Sequence, residues 1–151
     1  PNASISIRGP RGDFVLDEDS PRSLVFIACD AGFAPIKSLI EHAMALDVAE
    51  HIHLFWITTP GNAHYLQNLC RSWADALDNF HYRTLKATES EPVESLIPSI
   101  TGDLENIENL DFYACLPDSL LDPVETGLLE NGVKSAQLRM EPLRYNPTPK
   151  C

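Results

Sequence analysis

Five apolar runs alternate with amphipathic stretches along this chain. Leu24-Val25-Phe26-Ile27-Ala28-Cys29 is continuous, as expected of a strand buried on both faces. Asp30-Ala31-Gly32 breaks it, and Pro35 suits the first position of a helix carrying Ile36, Leu39, Ile40, Ala43 and Met44 at 3.6-residue spacing. Ile52 to Thr58 predicts a second strand, and Thr59-Pro60-Gly61 its turn. Asn62 is placed to cap a helix carrying Leu66, Leu69, Trp73, Ala76 and Leu77. Phe80 to Leu85 reads as a third strand, Val93 to Ile100 as a weaker helix, and Leu110 to Cys115 as a fourth strand. Asp122-Pro123 with Glu125 predicts a helix start, Gly132 its stop, and Ala136 to Met140 a fifth strand. Upstream, Ser4 to Arg8 alternates like a short half-buried strand.

Strand and helix thus alternate four times, the mark of right-handed crossovers and a parallel sheet. The expected fold is a three-layer, doubly wound α/β domain with a five-stranded parallel sheet and the first strand central. Ligands of such sheets bind beyond the carboxyl ends of the strands, where the winding reverses. That places the site between the loop after Cys29 and the loop after Cys115. The first turn, Cys29 to Pro35, is the leading candidate, because free N–H groups at a helix start and the positive end of its dipole hold a diphosphate. Gly32 would permit close backbone approach.

Composition narrows the function. The chain has 151 residues, room for one sizeable core, and a formal net charge of −11. That balance argues against nucleic acid and anionic membrane surfaces, both of which need a basic footprint. No apolar run has the length of a membrane span and no signal pattern opens the chain, so a cytoplasmic address is expected. Cys29, Cys70, Cys115 and Cys151 are widely spaced without a C-x-x-C pair, which signals neither zinc nor an iron–sulfur cluster. Reduced thiols are expected, with Cys29 and Cys115 as small buried residues at strand ends.

Gly9-Pro10-Arg11-Gly12-Asp13-Phe14, Ala28 through Pro35 and Lys37-Ser38-Leu39-Ile40-Glu41-His42 together resemble the ferredoxin–NADP reductase superfamily. The likeness is nearest to bacterial CDP-6-deoxy-glucoseen-type reductases and NAD(P)H–flavin reductases. Leu54-Phe55-Trp56 is similar to the family's second strand, and Tyr113-Ala114-Cys115-Leu116-Pro117 to its Cys-Gly-Pro segment. The resemblance implies that Asp30, Ala31, Gly32, Phe33, Ala34 and Pro35 hold the diphosphate of NADH or NADPH. It implies that the loop with Thr58 and Thr59 selects between them. Leu116 and Pro117 would lie by the nicotinamide, with Cys115 closest to the hydride-transferring carbon. The family's usual Arg after the second strand is replaced by Ile57-Thr58-Thr59, so NADH is expected.

The same resemblance makes residues 1–22 the terminal strand and linker of an otherwise absent flavin domain. Residues 23–143 would be the nucleotide lobe, and 144–151 a disordered tail. FAD would come from the missing domain, and the partners would be that domain and a downstream electron acceptor. Alone, the chain should not turn over NADH. An alternative rests on Asp30 and Leu116, which replace family residues: Asp30 could cap the helix or repel phosphate, and Leu116 narrows the nicotinamide space. The fold would then serve as a regulatory or docking module.

Other constellations point nowhere sharper. His51-x-His53 puts two rings on one strand face, but no third ligand lies nearby in sequence. Trp56 and Trp73 read as packing residues, and Asp17-Glu18-Asp19 as a solvated loop. Ser38 and Ser119 lack a nucleophile elbow.

Overall fold

The computed structural model describes residues 14–47 and 49–143. The strand expected at Ser4 to Arg8, the tail from 144 onward and Cys151 lie outside them. The strands are β1 (Ser23–Cys29), β2 (Ile52–Thr58), β3 (Phe80–Lys86), β4 (Leu110–Pro117) and β5 (Leu138–Leu143). The helices are α1 (Phe33–Leu46), α2 (Gln67–Ala76), α3 (Ile97–Gly102) and α4 (Asp118–Glu130). The sheet runs β3-β2-β1-β4-β5, with all four pairings parallel and β1 in the middle. The fold is the expected doubly wound five-stranded sheet between two helical layers.

Period-two alternation divides the central strand between two cores. Val25, Ile27 and Cys29 face one, with Ile97 and Ile100 of α3 and Leu121, Val124 and Leu128 of α4. Leu24, Phe26 and Ala28 face the other, with Ile36, Leu39, Ile40 and Ala43 of α1 and Cys70 of α2. Leu24 through Cys29 are accordingly all buried. Burial on both faces explains why the run is continuously apolar rather than alternating.

Several boundaries differ from expectation. α1 begins at Phe33, after a 3₁₀ turn over Asp30–Gly32, so Pro35 is its third residue rather than its first. Asn62 does not cap α2, which starts five residues later at Gln67; its side chain donates to Thr59 Oγ1 at 3.1 Å. α2 turns Cys70 and Trp73 to the core, joined by the flanking Leu66 and Leu77, while Ala76 is exposed.

The expected single helix from Val93 splits into a 3₁₀ turn, Val93–Leu96, and α3. α4 starts at Asp118, four residues ahead of Asp122, and Pro123 lies inside it. Proline removes a hydrogen bond only one turn in, and the buried Leu121 anchors the stretch before it. Ala136 belongs to a 3₁₀ turn, and β5 extends to Leu143.

Candidate functional site

The winding reverses between β1, which pairs with β2 and leads into α1, and β4, which leads into α4. The turn Asp30–Gly32 and the start of α1 therefore sit at the carboxyl end of the central strand. Among the described residues no side chain caps that turn or α1. Gly32 presses against β4: a Cβ placed on it would lie 2.4 Å from the Cys115 backbone oxygen. The close approach expected of this glycine is made to a neighbouring strand.

Asp30 is turned away from the helix it precedes. Its backbone is left-handed, at φ 53°. Its Oδ1 accepts the Thr59 N–H at 2.9 Å and its Oδ2 the Thr59 hydroxyl at 2.6 Å. The Cys29 thiol points at the same carboxylate, Sγ to Oδ2 3.8 Å. The Trp56 indole N–H reaches the Asp30 carbonyl at 3.2 Å. Asp30 thus ties the first turn to the end of β2, which leaves the start of α1 uncapped. The alternative in which this carboxylate caps the helix is corrected on that geometry.

An aromatic group supports the same corner. Phe33 and Trp56 stack with centroids 4.1 Å apart, and Tyr65 stands edge-on to both. Tyr65 is 54% exposed, so a large ring is offered to solvent beside the turn. His64 meets the Trp56 carbonyl at 2.9 Å, which ties the loop after β2 back to its strand. Tyr65 is not among the residues that the sequence pattern marks. Its only signal was an aromatic in a polar loop just past a strand end.

The residues singled out from sequence divide by burial. Asp30, Pro35, Thr59 and Pro117 are half-buried, and Ala31 and Ala34 are exposed. Gly32, Phe33, Thr58, Cys115 and Leu116 are buried. Leu116 points into the core beneath α3 and α4, so it does not narrow the mouth. Cys115 packs on the opposite face and is 1% exposed. Burial first, then the nearby charge of Glu141, pushes its thiol up to about 12. Cys29 is likewise pushed up to about 12, by burial and then by Asp30. At this strand end the backbone, rather than the thiol, faces the turn. Cys29, Cys70 and Cys115 are free.

At the opposite end of the sheet, a third histidine joins the two seen in sequence. His81 is in register with His53, their rings 5.2 Å apart, and His51 lies 5.6 Å from His81. The sequence could not show this, because the pairing of β2 with β3 alone brings His81 there. No group of three His, Cys, Asp or Glu among the described residues is arranged to hold a metal ion. Burial, followed by His81 and His51, lowers His53 to about 4. Trp73 is half-buried against Phe80, and Asp17 of the acidic loop pairs with Arg139.

No helix among the described residues is long and apolar enough to cross a membrane. No family model matches the chain. Protein RfbI of Salmonella typhimurium is 28% identical over 127 residues, 80% of this chain and 37% of its own length. The NAD(P)H-flavin reductase of Vibrio harveyi is 28% identical over 115 residues, 72% of this chain and 48% of its own. The CDP-6-deoxy-L-threo-D-glycero-4-hexulose-3-dehydrase reductase of Yersinia pestis is 23% identical, covering 85% and 40%. The chain thus spans less than half the length of these relatives.

Among solved structures, a ferredoxin NADP+ reductase from Neisseria gonorrhoeae with bound FAD and NADP superposes with a TM-score of 0.65. It is 14% identical, and the match covers 83% of this chain and 57% of that one. The FAD/NAD-binding domain of the nitric oxide dioxygenase of Vibrio cholerae gives 0.63 at 21% identity, covering 89% and 56%. The chain is therefore similar in sequence to NAD(P)H–flavin reductases and CDP-hexulose dehydrase reductases, and its five-stranded parallel sheet has the fold found in ferredoxin–NADP reductases.

Proposed function

We propose that this chain is the NAD(P)H-binding lobe of a flavin-dependent reductase, with NADH as its nucleotide. The observation that carries the reading is the turn from Asp30 into α1 at the reversal point, which has no side-chain cap among the described residues, with the Asp30 carboxylate diverted onto Thr59. Backbone N–H groups and the helix dipole there favour a diphosphate. Asp30 to Pro35 would hold it, with Gly32 keeping the turn tight against β4. The loop from Thr58 and Thr59 to Tyr65 would take the adenosine half, with the exposed Tyr65 ring stacking on the base. Pro117 would flank the nicotinamide, with the buried Cys115 and Leu116 contributing only main chain at the strand end.

Bound NADH supplies a hydride, and the acceptor would be FAD held by a separate domain. Residues 1–22 would lead from that domain and residues 23–143 form the lobe. The protein's part is orientation, with no acid, base or nucleophile required of it. A downstream electron acceptor completes the system.

The test is an NADH titration followed by amide chemical shifts. Saturable shifts centred on residues 30–35, 59–65 and 117 are expected, with no steady NADH oxidation by the chain alone. A flat titration, or steady turnover without an added flavoprotein, would overturn the reading.

A further inference from the structure

In doubly wound nucleotide folds the 2′ position of the adenosine ribose is met near the second strand. A carboxylate there receives a diol, and an arginine receives a 2′-phosphate. The stretch from Ile57 to Tyr65 contains no Asp, Glu, Lys or Arg. The charge at this strand end is instead delivered from β1. Asp30 places Oδ1 at 2.9 Å from Thr59 N and Oδ2 at 2.6 Å from Thr59 Oγ1. It is held there by its left-handed backbone and by the Trp56 bond to its carbonyl.

A carboxylate offers about four acceptor positions. Thr59 takes two and the Cys29 thiol points at a third, so among the described residues one remains for a hydroxyl. We propose that Asp30 sets the choice of nucleotide, accepting a ribose hydroxyl and repelling a 2′-phosphate. This rests on the nucleotide-binding reading above and names the residue that makes it selective. A 2′-phosphate brings about −1.5 to −2 charges, and a carboxylate fixed in advance cannot swing away from them without giving up both Thr59 bonds. The opposing residue is Lys86, which ends β3 in register with Thr58 and is the only cation among the five strand-terminal residues. If Lys86 dominated, the preference would reverse.

The experiment compares dissociation constants for NADH and NADPH in the full chain at low and high salt. The unmodified chain should bind NADH about tenfold more tightly at low salt, and the ratio should shrink as salt screens the repulsion. Asp30→Asn suits a left-handed backbone and keeps an acceptor for Thr59, so it should fold and bring the two constants to within about twofold. Lys86→Ala should leave the NADH preference in place.

Equal binding of both nucleotides by the unmodified chain would overturn the proposal while leaving the binding site intact. So would a preference that survives in Asp30→Asn, or a preference for NADPH that Lys86→Ala abolishes. Failure to bind either nucleotide would instead remove the underlying reading, and this proposal with it.

Discussion

Gly32 and Cys115 are in backbone contact across the reversal of the sheet: a Cβ on Gly32 would stand 2.4 Å from the Cys115 carbonyl oxygen. That separation is shorter than atoms of folded proteins adopt, so Gly32→Ala must push the turn away from β4. Overpacking of this kind costs about 1–3 kcal/mol. A fall in the urea midpoint is expected, whereas Gly102→Ala, where nothing lies within 4 Å, should change stability by less than about 0.5 kcal/mol. Equal midpoints for the two variants would refute the contact.

Trp56 joins three parts of the site corner. It stacks on Phe33, donates to the Asp30 carbonyl and carries the carbonyl that His64 meets. Trp56→Phe keeps a ring but loses the indole bond and leaves space, at a cost of about 1–3 kcal/mol. Amide shifts should spread from Asp30 into the loop up to Tyr65. Changes confined to residue 56 and its immediate neighbours would mean that the corner is not mechanically joined.

The three-histidine cluster makes stability depend on pH in a defined direction. His53 is lowered to about 4 from 6.5 by burial and by His81 and His51. The unfolded chain therefore takes up a proton before the folded one does. This contribution is complete above the unfolded value, is lost as pH falls from about 6.5 to about 4, and then levels off. Water still reaches part of the ring, and Glu50, Asp103 and Glu105 line the same cleft. The loss is therefore about 1–2 kcal/mol rather than the full amount of the shift. Urea melts at about pH 7.5 and about pH 5 should show it, and His53→Leu should flatten the profile. An unchanged slope in that variant would show the acid sensitivity to lie elsewhere.

The thiols of Cys29 and Cys115 are pushed up to about 12, and that of Cys70 to about 11, in each case chiefly by burial. Thiolate is the form that reacts with alkylating agents. At about pH 8, labelling of these three in the native protein should be more than 100-fold slower than in urea. Peptide mapping keeps them apart from Cys151. Rapid native labelling of Cys115 would show that the end of β4 opens.

Asp111 is 1% exposed and its Oδ1 meets Arg22 Nη1 at 3.2 Å, while Oδ2 has no partner among the described residues. Arg22→Ala would leave a buried carboxylate without its counterion, costing about 1–3 kcal/mol. The Lys37–Glu41 pair is more open, so Lys37→Ala should cost less than about 0.5 kcal/mol. The two variants compared in one denaturant series decide the matter: a smaller loss for Arg22→Ala would be incompatible with this packing.

Much of the architecture was legible in the sequence. The run from Leu24 to Cys29 had to be buried on both faces, and the spacing from Ile36 to Ala43 had to form a one-sided helix. Both are local periodicities, and alternation of such units implies a parallel sheet. Helix starts were less legible. Asn62 and the Asp122-Pro123 pair look like caps, yet α2 begins past the first and α4 before the second. Burial of Cys70 and Leu121 outweighs capping preferences worth about 1 kcal/mol.

The sequence by itself determined the strand–helix order, the parallel sheet and the location of the candidate turn, because each follows from periodicities within about a dozen residues. Only the tertiary structure decided where the Asp30 carboxylate points, which core holds Cys115 and Leu116, and that His81 lies beside His53. Those outcomes depend on pairings between residues far apart in the chain, and spacing along a sequence does not record which strands become neighbours.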